Sequence, residues 1–182
     1  MAQTAHSATP ATKSFKEALI TVAFVVILWC IPEIYQMFSN GIVITRLSPA
    51  LSDGLAVAAL PRATVIAYVV AFVLKYASLI AIAAFLTRAF ASMLRGALFS
   101  TTVSKSLRFA SYGIVVWIIA RLGIEGLANN HAASVLGVDS WWNTGSGTPL
   151  SDLSPAIILM ATLIAFEAVL QRGKALEEEV DG

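Results

Sequence analysis

The chain has 182 residues, 58% hydrophobic and 13% charged, with a mean hydropathy of +0.79, where an ordinary soluble domain has roughly 45–50% and about 25%. These proportions exclude a soluble enzyme, a disordered chain and a disulfide-bonded secreted scaffold. With a net charge of +1 and no basic stripe outside one short connection, no nucleic acid partner is expected.

Residues 1–14 are rich in Ala, Thr and Ser and read as a disordered N-terminal tail. Lys13 and Lys16 followed by Ala18 to Cys30 imitate a signal peptide, but no small-x-small cleavage site follows and apolar residues continue to Met37. A retained first span over 18–37 is therefore expected, with the single cysteine, Cys30, as an inert buried thiol. From Ser39 to Pro61 the turn signals Asn40-Gly41 and Asp53-Gly54 are mixed with apolar Ile42 to Ile44 and Leu55 to Leu60, which predicts a partly buried cap.

A second span follows over 64–86. Beyond it, Phe85, Leu86, Phe90, Met93 and Leu94 keep the helical period while Arg88 and Arg95 share the opposite face, predicting a helix that leaves along the membrane surface. Gly96 can end that helix, and Ser100 or Thr101 can cap the next. The third span is placed at 109–127 and the fourth at 155–171. Between them Trp141 and Trp142 suit the headgroup interface, and Asn143 to Gly147 read as a flexible turn. Residues 177–182 form an acidic C-terminal tail, read as a solvated helix end.

The spans have no period-2 alternation, so the expected fold is an all-α membrane protein with a four-helix transmembrane domain over 15–176. Lys13 and Lys16, then Arg88, Arg95, Lys105 and Arg108, then Arg172 and Lys174 mark one side. The other side has only Arg46 and Arg62, so both termini are expected to be cytoplasmic. Topology setting accounts for Arg88, Arg95, Lys105 and Arg108, with contact to lipid headgroups as the competing reading. Small residues at helical spacing, Ala67 and Ala71, then Ala77, Ala81 and Ala84, and on the fourth span Ala161, Ala165 and Ala168, predict close helix contacts, with an equal alternative that these alanines face lipid.

Five ionisable residues fall in or at the edges of the spans: Glu33, Lys75, Arg121, Glu125 and Glu167. Each costs roughly 2.5–3.5 kcal/mol at a helix centre and demands a partner. Counting about 1.5 Å per residue puts Lys75 about 16 Å and Arg121 about 12 Å from the outer boundary, with Glu33 and Glu125 at about 6 Å. Arg121 and Glu125, four apart, face the same way, and Glu33 reaches their layer, so a Glu33, Arg121, Glu125 cluster is expected. Lys75 joins it only by snorkelling outwards to Glu125. Glu167 belongs near the inner interface. Such a network either fixes helix packing or serves as an ion relay or polar pocket; the scarcity of hydroxyls and histidines in these spans favours packing.

His6 and His131 are the only histidines, and both lie outside the predicted spans, so bis-histidine haem ligation and an HExxH zinc site are excluded. P-loop, dinucleotide-binding and GxSxG motifs are absent, and Ser146 lies in a loop without a convincing base. No cofactor, metal or catalytic residue is expected.

Two stretches carry a resemblance. One reads Arg95-Gly96-Ala97-Leu98-Phe99-Ser100, leading to Leu107-Arg108, and the other runs from Glu167 through Arg172-Gly173-Lys174-Ala175-Leu176 to Glu177-Glu178. With the four-span layout, they resemble the bacterial membrane family called domain of unknown function 2975. Leu98 stands where that family has proline, and alignment on Gly173 puts the family's acidic position at Ala168. The resemblance implies a small protein of the bacterial cytoplasmic (inner) membrane, without catalytic residues to transfer, in a family often encoded beside a small helix-turn-helix regulator. The combined expectation is a non-enzymatic accessory or regulatory subunit whose partners are the lipid bilayer and other membrane protein subunits or further copies of itself. The alternative is a small oligomeric transporter or channel using the charged network.

Overall fold

The structure, a computed structural model, describes residues 24, 27–28, 30–43, 54–139 and 150–181. The predicted tail, much of the first span, Lys13, Lys16, Arg46, Trp141, Trp142 and the Asn143 to Gly147 turn lie outside the described residues. Among the described residues three helices are long and apolar enough to cross a membrane: Arg62–Leu94, Thr101–Leu136 and Leu153–Glu179.

Helix α1 is described over 30–39, where an α-helical stretch widens into a π-helical turn at Tyr35–Ser39. Asn40 closes it, its backbone N–H donating to Tyr35 O at 3.3 Å and its side-chain amide to Gln36 Oε1 at 3.0 Å. The expected cap is a short antiparallel pair, β1 (Ile42–Val43) with β2 (Leu55–Ala56), in which Val43 faces Leu55. A 3-10 turn over Val57–Ala59 then leads through Pro61 into α2 (Arg62–Leu94). Val43, Leu55 and Leu60 are buried against Tyr68 of α2 and against Ala128, Ala132 and Ala133 of α3.

Helix α2 contains no Gly or Pro over 33 residues, about 50 Å at 1.5 Å per residue. It ends where Gly96 takes φ +84°, which suits a residue without Cβ. There Ala97 N–H donates to Ser92 O and Gly96 N–H to Met93 O, satisfying carbonyls left over by the last turn. Ser100 then caps α3, its Oγ accepting from Val103 N–H at 3.4 Å. Helix α3 runs over Thr101–Leu136, with a π-helical turn at Ile119–Ile124. It stops at Gly137, φ +67°, by the same pattern of bonds from Val138 to Ala133 and from Gly137 to Ser134. Helix α4 occupies Leu150–Asp181.

Helix α3 lies at the centre, packed along α2 on one side and α4 on the other. A second apolar cluster joins all three: Ile82 and Ala89 of α2, Val103, Leu107, Ala110 and Ile114 of α3, and Leu163 and Leu170 of α4. Helices α2 and α3 approach closely at Gly113, where a Cβ would lie 2.7 Å from Ile82 Cγ1. Large apolar side chains such as Val73, Ile80, Val116, Ile119, Ile158 and Val169 face outwards, as expected where the surrounding solvent is hydrocarbon.

Three expectations are corrected. Residues 85–94 do not form a separate surface helix; α2 is unbroken, and Phe85, Leu86 and Met93 turn their apolar surface onto the α2–α3–α4 cluster. The third helix continues nine residues past the predicted Leu127 to Leu136, because Ala128, Ala132 and Ala133 pack under the hairpin. The fourth begins at Leu150, so Pro155 sits inside it, near enough to its start that the lost amide donor is tolerated. Glu177, Glu178, Glu179 and Asp181 lie on the end of this helix, as a helix-end reading of them has it. Of the small-residue stripes, Ala71 is buried, but Ala161, Ala165 and Ala168 of α4 face outwards.

Candidate functional site

The residues buried on α2 recur every third or fourth position: Thr64, Tyr68, Ala71, Ser78 and Ile82. Lys75 falls on the same stripe, which turns towards α3, where Glu125 and Asn129, one turn apart, are both buried. A polar column is thereby built between two otherwise apolar helices. Lys75 is 13 residues into α2, about 20 Å from its start.

Lys75 Nζ lies 3.1 Å from Glu125 Oε2 and 3.4 Å from Glu33 Oε2. Arg121 Nη1 pairs with Glu125 Oε1 one turn back along α3. The expected cluster therefore forms with a different centre. Lys75, which sequence spacing left at the margin, bridges α1 and α3, and Glu125 receives both cations. The long lysine stem makes this reach available without displacing the helix. Two cations and two carboxylates leave the group neutral, as the low dielectric demands. Glu125 is 2% exposed, whereas the Glu33 side chain remains 34% exposed. Both π-helical turns adjoin this layer: Tyr35–Ser39 starts two residues after Glu33, and Ile119–Ile124 contains Arg121 and ends at Glu125. Single π turns recur at functional positions in helices.

Towards the hairpin the column continues. Tyr68 Oη donates to Asn129 Oδ1 at 3.5 Å, and Thr64 Oγ1 lies 2.6 Å from Nδ1 of the exposed His131. Among the described residues three buried polar atoms lack a directed partner: Glu125 Oε2, Asn129 Nδ2 and Asn130 Oδ1. Lys75 Nζ is within ion-pair range of Glu125 Oε2 but outside hydrogen-bond geometry, so this oxygen is neutralised without receiving a directed donor. Asn129 Nδ2 is a donor and Glu125 Oε2 an acceptor, four residues apart on one helix face. On the far side the column stops at Ser78, which bonds Lys75 O at 2.8 Å; beyond it lie Ile82 and the apolar cluster.

A second, separate polar contact joins α3 to α4. Arg108 donates through Nε at 3.0 Å and Nη2 at 2.5 Å to Glu167 Oε1, which also receives Gln171 Nε2 at 2.9 Å. Glu167 is buried here, not lying free at an interface. Nearby, Phe99 covers Gly173 so closely that any Cβ there would meet its ring. The two sequence stretches that carry the family resemblance thus pack on each other. Arg88, Arg95 and Lys105 are exposed at this same end of the bundle, while Trp141 and Trp142 fall outside the described residues.

Sequence reasoning overlooked Thr64, Tyr68, Asn129, Asn130 and His131. Asn129-Asn130-His131 read as loop because the run is polar, yet the helical spacing of Ala128, Ala132 and Ala133 and the stop at Gly137 were available signals. Among the described residues no group of three or more His, Cys, Asp and Glu side chains is arranged to hold a metal ion. No family model matches the chain, and no curated protein or solved structure matches it either.

Proposed function

We propose that the chain is a non-enzymatic integral membrane protein of four transmembrane helices, with both termini cytoplasmic, serving as an accessory or regulatory subunit in a bacterial cytoplasmic membrane. The observation that carries this reading is the outer face of α4. The helix packs chiefly on α3, through Leu163, Glu167 and Leu170, and turns Ala161, Ala165 and Ala168 away from the bundle. Small residues on an outward face allow the backbone of another transmembrane helix to approach closely. Mutual neutralisation of Glu33, Lys75, Arg121 and Glu125 adds support, since it ties α1, α2 and α3 into a fixed frame for such a contact.

The test is purification in a gentle detergent, comparing the native chain with an Ala165→Leu/Ala168→Leu variant. A stoichiometric partner, or a second copy, is expected to co-elute with the native chain and to be lost from a variant that melts at the same temperature. Recovery of both as bare monomers refutes the subunit reading.

A second reading, a small oligomeric transporter or channel, is favoured by the orphaned Asn129 Nδ2 and Glu125 Oε2. They are unpaired polar atoms in a column of polar side chains that begins at exposed His131. Under that reading Lys75→Met alters flux into liposomes while fold and expression persist.

A further inference from the structure

We propose that the groove between the start of α3 and the end of α4 binds the phosphate of an anionic phospholipid. The groove, about 240 Å³, is lined by Phe99, by the hydroxyl-bearing Thr101 and Ser104, and by the basic Lys105, Arg108 and Lys174. Its volume suits a headgroup fragment, not a whole lipid.

Charge complementarity selects an anion. Lys105 has no hydrogen-bond or ion-pair partner among the described residues. Arg108 commits Nε and Nη2 to Glu167, which leaves Nη1 available. Lys174 is held only by an exposed pair with Glu178 at 3.4 Å. On the other side of Lys174 lies a wider groove of about 630 Å³ bordered by Glu177 and Glu178. Those carboxylates repel an anion, so it is directed to the α3 side.

Position selects a lipid as the source of the phosphate. One and two turns beyond Lys105 along α3 come the exposed rings of Phe109 and Tyr112, and one turn before Lys174 on α4 comes Leu170, which lines the groove. Phe109 is braced from behind by Phe85, with ring centroids 5.3 Å apart. A phosphate in the groove thus places its acyl chains over apolar surface, with hydroxyl and ammonium donors beside it. Basic residues at the end of apolar spans attract anionic headgroups in this way.

Native mass spectrometry of the full chain released from nanodiscs tests the site, with phosphatidylglycerol and phosphatidylcholine of equal acyl length as competing probes. The native chain is expected to retain phosphatidylglycerol in about tenfold preference, and Lys105→Ala/Lys174→Ala to lose most of that preference. Arg88→Ala/Arg95→Ala, which removes the same charge at the same end but outside the groove, is expected to keep it. Lys105→Glu should reverse the preference and supplies the test if the double alanine variant does not fold. Equal retention of the two lipids by the native chain overturns the site. So does an equal loss in the two double variants, which would mean diffuse attraction. Displacement of the lipid by an equal concentration of soluble glycerol phosphate would assign the groove to a free phosphate and overturn the lipid assignment.

Discussion

Replacing Lys75 by methionine keeps the length of the side chain and removes the charge that joins three helices. At 3.1 and 3.4 Å from Glu125 and Glu33, each ion pair has a gross Coulomb energy of roughly 5 kcal/mol at an effective dielectric constant near 20. Desolvation of the ammonium offsets much of that, so the net effect is set by the carboxylates left behind. Removing one partner of a buried pair costs about 3–5 kcal/mol. Arg121 stays on Glu125, and Glu33 is one-third exposed, which brings the expected loss to the lower end, about 3 kcal/mol. The assay is reversible unfolding in mixed detergent micelles, with Glu33→Gln added as a second change. Neutralising Glu33 alongside Lys75→Met should recover about 1 kcal/mol, because it removes the excess negative charge. A Lys75→Met protein as stable as the native chain, with or without Glu33→Gln, refutes the structural role of this lysine. If that protein also shows altered flux, the transport reading takes its place.

Other consequences are directly measurable. Gly113→Ala should destabilise by about 1–3 kcal/mol, since its Cβ would press on Ile82. In the same melting assay Gly123→Ala should be neutral or gain up to about 1 kcal/mol, because its Cβ meets only Ile119 Cγ2 at 3.8 Å. Arg108→Ala and Glu167→Gln should each lower the melting temperature, with the double variant no worse than Glu167→Gln alone; additive losses would show that the pair is not coupled. Tyr68→Phe/Asn129→Leu removes a weak bond together with an orphaned amide, so it should change stability by less than about 1 kcal/mol. A larger loss would mean that the column depends on those polar groups. In a Cys30→Ser background, Ala97→Cys should react with a membrane-impermeant maleimide only after cells are opened, and Val138→Cys in intact cells once the outer envelope is permeabilised. The reverse pattern inverts the proposed orientation.

Much of the backbone was legible in the amino-acid order. The stops at Gly96 and Gly137 follow from glycine's access to positive φ, and the cap at Ser100 from a hydroxyl placed before an apolar run. The turn signal Asn40-Gly41 precedes a strand pair, Ile42–Val43 with Leu55–Ala56, whose Val43 and Leu55 pack on the ends of α2 and α3. Legibility failed where polarity was taken for exposure. Asn129 falls just past the predicted end of the third span, yet it is buried inside the continuing helix, its Oδ1 accepting a long bond from Tyr68 while its Nδ2 has no protein partner. It failed again at α4, whose alanine stripe predicts a close contact without saying with what; in this chain the contact is made by Leu163, Glu167 and Leu170 instead.

What the sequence alone determined is the medium and the linear parts: helices too apolar for water, long enough to span a bilayer, with a few charges that require partners inside it. Tertiary structure decided which charges meet. Lys75 became the bridge, Glu125 the shared carboxylate and Arg108 the partner of Glu167. The reason is rotational. A helix that is apolar around most of its circumference has no strong preference for which face turns inward. Its orientation is set only when close contacts such as Gly113 against Ile82, and the pairing of buried charges, act together across neighbouring helices.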